Sequence, residues 1–184
     1  MVWNPQRQAD SWSDPRSAWQ ADVSSDSDGG VELVILDRAS AATLLTSPVQ
    51  CSEIAYLVSI GDPDDQLPPG YANVREKLRL EFSDSFPGPS ERDIQALIDF
   101  AGRIASLPGT VLTHCHAGVS RSSAAAYIIL CTVLGAGREA EALERVFSAR
   151  SVAVPNRRMV EIADRLLVRD GVMVDVLSSV SSDG

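Results

Sequence analysis

Apolar residues in this chain are distributed in two ways, as short continuous runs and as longer stretches with an apolar face. The runs "VELVIL" (31–36), "EIAYLVSI" (53–60) and "TVLTH" (110–114) are short and rich in branched side chains, which predicts buried strands. "KLRLEF" (77–82) alternates and predicts a further strand. "SAATLL" (40–45) predicts a short helix that stops before Pro48. "IQALIDFAGRIASL" (94–107) predicts an amphipathic helix behind a capping box of Ser90 and Asp93, ended by Pro108 and Gly109. Further helices are predicted at about 120–134, 138–149 and 156–169, the last preceded by Pro155. The loops "GDPDDQLPPG" and "SDSFPGPS" punctuate the pattern, and no internal repeat is visible.

Strands alternating with helices predict an α/β fold, a central and mostly parallel sheet flanked by helices. Ligands of such sheets sit at the carboxyl ends of the strands. Cys115 falls at one of those ends. Ahead of the first strand, residues 1–30 are polar and close on "SSDSDGG", which reads as a flexible arm. All three tryptophans, Trp3, Trp12 and Trp19, lie in that arm. Large aromatics usually mark buried contact area, so the arm is expected to pack on the domain rather than serve as a docking handle.

Composition narrows the function. The 184 residues fit a single domain, and a 45% hydrophobic share suits a globular one. A formal charge of −9 repels phosphate backbones and anionic lipid, so neither nucleic acid nor a membrane surface is expected as a partner. An anionic substrate would need a local positive site. No apolar run reaches membrane-spanning length, and the N-terminus lacks the apolar core of a secretory signal, so a cytoplasmic location is expected. Cys51, Cys115 and Cys131 form neither C-x-x-C pairs nor an even-numbered framework, which speaks against a disulfide scaffold.

The candidate chemistry lies in "HCHAGVSR" (114–121), between the predicted strand 110–114 and the helix near 120. A loop between a strand end and a helix N-terminus aims several backbone N–H groups at one point, and the helix dipole reinforces them. Gly118 lets that loop curl, and Arg121 adds a planar two-pronged donor suited to an oxyanion. The same dipoles and guanidinium favour thiolate over thiol at Cys115. Nucleophile and anion site thus come from one short loop. A zinc cluster around His114, Cys115 and His116 would need further ligands from distant cysteines. An inert buried cysteine would leave Arg121 and Gly118 without a reason.

"HCHAGVSRS" resembles the H-C-x5-R-S/T signature of cysteine-dependent protein tyrosine phosphatases, and its A-G-x-S-R interior resembles the dual-specificity type. The stretches around "LRLEFSD" and "PNRRMVEIADRLL" look like the small bacterial phosphatase-like proteins, so the resemblance covers about 31–172. It leaves the arm and a C-terminal tail, 173–184, outside. It implies Cys115 as nucleophile, Arg121 and the backbone of His116, Ala117, Gly118, Val119 and Ser120 as the phosphate cradle, and Ser122 as hydrogen-bond donor to the departing sulfur. It further implies Asp84, thirty-one residues upstream of Cys115, as general acid and base, and His114 as a residue that orients the loop. No cofactor or metal is implied. The implied substrate is a phosphorylated protein or peptide, phosphotyrosine with phosphoserine and phosphothreonine open. The absence of lysine from 116–120 argues against inositol lipids. Two other readings stand beside it, a phosphate-binding module with little turnover, should Asp84 be only a turn aspartate, and sulfur transfer on a cysteine loop.

Overall fold

The structure, a computed structural model, describes residues 30–180. The tryptophan-bearing arm therefore lies outside the described residues except for Gly30, as do 181–184 of the expected tail. The elements run β1 (Val31–Leu36), α1 (Arg38–Thr46), α2 (Pro48–Cys51), β2 (Ile54–Gly61), β3 (Glu76–Glu81), α3 (Glu91–Ile104), β4 (Gly109–His114), α4 (Arg121–Leu134), α5 (Glu139–Ala149), α6 (Arg157–Leu166) and α7 (Val172–Val180). A single turn of 3₁₀ helix, Tyr71–Asn73, precedes β3. The four strands form one sheet in the order β1-β4-β2-β3, with every pairing parallel. The α/β class expected from the alternating pattern is the one observed.

Strand side chains alternate between two cores. Val111 on β4 and Tyr56, Val58 and Ile60 on β2 face the larger core, which α3 to α7 cover. Leu112 and Leu57 face the smaller one, closed by Ala41, Leu44 and Leu45 of α1 and Cys51 of α2. Helix α4 lies inside the larger core and is buried without interruption from Arg121 to Cys131. Its apolar run, AAAYIILC, carries no polar face because no side of it meets water until its last turn.

Several boundaries differ from those predicted, each for a local reason. Helix α3 begins at Glu91, three residues early, because a capping box puts Ser90 at the N-cap and Asp93 on the third helical residue. Helix α2 was not expected; Ser47 caps it and Pro48 opens it, so the proline that ends one helix starts the next. Helix α6 stops at Leu166, after which Val168 and Asp170 take positive φ angles of 54° and 53°. The buried Asp164 carboxylate then accepts from Gly171 N at 2.7 Å and Met173 N at 2.9 Å, which starts α7. Of the expected C-terminal tail, 173–184, residues 173–180 belong to this helix, and Met173 and Leu177 are buried in the larger core. Among the described residues, no helix is long and apolar enough to cross a membrane.

Candidate active site

Cys115 is the first residue after β4 and faces the larger core, whereas the preceding His114 leaves the opposite face of the sheet. The cysteine is only 3% exposed. Thr113 Oγ1 donates to Ser122 O at 3.1 Å, which holds the first turn of α4 against the strand end. Ser122 Oγ then sits 3.2 Å from the sulfur, and Gly118 N donates to it at 3.3 Å. Burial by itself favours the neutral thiol. The Ser122 hydroxyl and the backbone N–H groups of Ser122, Gly118 and Val119 outweigh it, so Cys115 is held below the ordinary thiol value of 9.0. At Cys131 burial outweighs a hydrogen bond from Tyr127, and the thiol is pushed up to about 12.

This contrast is measurable. Iodoacetamide is expected to label Cys115 with a pH midpoint below 9.0, the rate rising as pH increases through it, while Cys131 stays unlabelled at neutral pH. Ser122→Ala removes a donor to the sulfur and is expected to raise that midpoint. An unchanged midpoint in Ser122→Ala, read by mass spectrometry of the labelled peptide, would dismiss the serine's part.

The loop's curl follows from where its carbonyls go. His116 O accepts from Arg38 N at 3.2 Å, Gly118 O from Arg150 Nε at 3.1 Å, Val119 O from Val154 N at 2.9 Å and Ser120 O from Asn156 N at 3.2 Å. In a trans peptide the C=O and the following N–H point in opposite directions. Four carbonyls turned outward to the scaffold therefore turn the N–H groups of Ala117, Val119, Ser120 and Arg121 inward. Gly118 is required at the bend: its φ is 68°, and a Cβ there would stand 2.5 Å from Asp37 N. Helix α4 has no side-chain N-cap, which leaves its first N–H groups open toward the same point.

Arg121 is 4% exposed. One of its amino groups, Nη1, donates to Phe82 O at 2.7 Å and to Asp62 Oδ1 at 3.1 Å. Its Nε is buried and has no partner among the described residues. Asp62 directly follows β2, and its N–H donates to the Asp65 carboxylate at 3.0 Å. That bond is the main reason Asp65 is held below the usual carboxylate range, and an ion pair with Arg38 at 2.9 Å adds to it. The loop after β2 is thereby fixed so that Asp62 clamps the guanidinium.

Asp84, in the loop after β3, does not turn back on its own backbone. Its Oδ1 accepts from Ser120 Oγ at 2.7 Å and from Asn156 Nδ2 at 2.8 Å. His114 is buried, its ring nitrogens lack partners among the described residues, and burial pushes its pKa down to about 4, so the ring is neutral at physiological pH. His116 and Ala117 are exposed.

A cleft of about 530 Å³ brings together Cys115, Arg121, Asp84 and Asp62 with His116, Ala117, Val119 and Ser120. Gly118 and Ser122 touch the sulfur from behind, and His114 lies on the far side of the sheet. A second depression of about 580 Å³, lined by apolar side chains such as Phe147, Val154 and Leu177, shares none of these residues. Among the described residues no group of three or more His, Cys, Asp or Glu could hold a metal ion. Sequence reasoning missed Asp62 and Asn156. Position after a strand's carboxyl end would have pointed to the first, and a cap before a helix next to Pro155 to the second.

No family model matches the chain. Dual specificity protein phosphatase 15 of Rattus norvegicus is 33% identical over 79 residues, 43% of this chain and 33% of that protein, so the match spans a third of the relative's length. Human DUSP28 superposes with a TM-score of 0.58 at 21% identity, over 72% of this chain and 86% of that one. The human tyrosine phosphatase-like serine/threonine/tyrosine-interacting protein gives 0.57 at 20% identity, over 73% and 89%. These similarities define the class: the chain has the protein tyrosine phosphatase fold.

Proposed function

We propose that the protein is a cysteine-dependent phosphatase that hydrolyses phosphotyrosine in proteins, with phosphoserine and phosphothreonine as further substrates. The observation that carries this reading is a thiol held below its ordinary value by the Ser122 hydroxyl and inward N–H groups, with Arg121 and Asp84 in the same cleft. Cys115 Sγ attacks phosphorus in line, the ester P–O bond breaks, and the leaving oxygen takes the proton of Asp84. The inward N–H groups and the Arg121 guanidinium hold the equatorial oxygens through this step and the next. Water then attacks the cysteinyl-phosphate and gives its proton to Asp84. The P–S bond breaks, the thiolate is restored with Ser122 as donor, and inorganic phosphate leaves. Peptide dipoles and one guanidinium supply the positive potential, so these steps call for no metal.

The lining also supports a substrate class. The cleft lining offers a single arginine, Arg121, paired with Asp62, which suits one phosphate and leaves a second without a partner. A polyphosphorylated inositol ring would bring unmatched charge against Asp62. The recessed sulfur, at 3% exposure, favours an aryl ester, whose phosphorus stands farther from the peptide backbone than that of a seryl ester.

The test is hydrolysis of p-nitrophenyl phosphate and of a phosphotyrosyl peptide by purified protein in the presence of EDTA, with steady turnover expected. Asp84→Asn is expected to lower kcat by about 10²–10⁴, the scale of lost acid–base catalysis. A burst of one product equivalent with no further turnover would leave a phosphate-binding protein instead, and an unimpaired Asp84→Asn would remove the aspartate from the mechanism.

A further inference from the structure

We infer that Asn156 is a positioning residue for the acid: its amide decides which oxygen of Asp84 carries the proton and ties the acid's loop to the phosphate loop. The inference rests on the reading of Asp84 given above. Asn156 stands where three segments meet. As N-cap of α6 its Oδ1 accepts from Met159 N at 3.1 Å, and its backbone N–H donates to Ser120 O at 3.2 Å. Its Nδ2 donates both hydrogens to Asp84, to the backbone O at 3.0 Å and to Oδ1 at 2.8 Å. The amide cannot be flipped, because that would set its NH₂ against the Met159 N–H and its oxygen against a carboxylate.

The consequence lies in the two oxygens. Oδ1 already receives Asn156 Nδ2 and the Ser120 hydroxyl at 2.7 Å. Oδ2 has no donor among the described residues, so it is the oxygen left to hold a proton and meet the leaving group. Ser120, which sits at the N-cap position of α4 without capping it, spends its hydroxyl on this task. Acid and nucleophile loops are therefore joined by side chains of their own, before any substrate arrives.

Serine at 156 would keep a helix cap of equal quality but lose both amide donors, which separates positioning from folding. The experiment compares kcat/KM for p-nitrophenyl phosphate and phenyl phosphate, whose leaving group resembles tyrosine with a pKa of about 10. Asn156→Ser is expected to lower phenyl phosphate hydrolysis by about 10- to 100-fold and p-nitrophenyl phosphate hydrolysis only a few-fold. Its melting temperature should stay near that of the wild type, and Asp84→Asn/Asn156→Ser should be no slower than Asp84→Asn alone. An equal loss on both esters, or losses that multiply in the double variant, would overturn the inference. Should Asp84→Asn itself show no dependence on the leaving group, the acid reading falls and this one with it; a steep Asp84→Asn beside a flat Asn156→Ser removes only the role of Asn156.

Discussion

Exchanging Cys115 for serine is expected to bring turnover down to the assay background, a loss of about 10⁴-fold or more, while phosphate binding persists. The reason lies in what a ring of dipoles can ionise. The Ser122 hydroxyl and the N–H groups of Ser122, Gly118 and Val119 need only overcome the burial of a thiol whose ordinary value is 9.0. A serine hydroxyl starts far above any range that a few hydrogen bonds can span, so no alkoxide forms beneath the phosphorus. The cradle does not depend on the sulfur. Its carbonyls are held by Arg38, Arg150, Val154 and Asn156, and a serine oxygen can still accept from Gly118 N. Stopped assays should therefore lose the reaction while calorimetric titration with inorganic phosphate retains binding. Residual hydrolysis above about one-hundredth of wild type would mean that another group attacks phosphorus.

That variant also shows which part of the site could be read from letters. Cys115, the loop that curls beside it and Arg121 come from one contiguous stretch, 114–121, so their meeting in one cleft was legible from spacing alone. The buried strands were equally legible: β1 runs Val31–Leu36, as its apolar run predicts, because every second side chain feeds one of two cores. Helix α3 was announced by its capping box. What escaped depends on distant contacts. Asp62 looks like one of several aspartates in a polar loop until the Asp65 carboxylate and Arg38 fix that loop against Arg121. Asn156 looks like an ordinary helix cap until its second function, on Asp84, is seen. Helix α7, with the β-branched sequence VMVDVLSSV, has no local reason to be helical. It is started by a buried carboxylate from α6 and stabilised by packing Met173 and Leu177, neither of which is visible in the segment itself.

Arg121→Lys is expected to lower kcat by about 10³-fold or more, within the range observed when an arginine that stabilises phosphoryl transfer is removed, even though the charge is kept. In the proposed reaction Arg121 has to serve two sets of partners at once. Its Nη1 is committed to Phe82 O at 2.7 Å and Asp62 Oδ1 at 3.1 Å, and its buried Nε has no acceptor among the described residues. The rigid planar fork is what allows one edge to be anchored while the other meets two oxygens of the phosphoryl group. A lysine ammonium is a single point. If it follows the carbonyl and Asp62 it leaves the oxyanion short of donors, and if it follows the oxyanion it strands a buried carbonyl and an unpaired carboxylate. Because the guanidinium matters most where charge spreads over the equatorial oxygens, kcat should fall by more than phosphate affinity does. Steady-state kinetics with phosphotyrosyl peptide, alongside phosphate titration and urea unfolding, resolve these terms. Turnover in Arg121→Lys within tenfold of wild type would show that charge alone suffices and that the two-edged geometry has no part in the reaction.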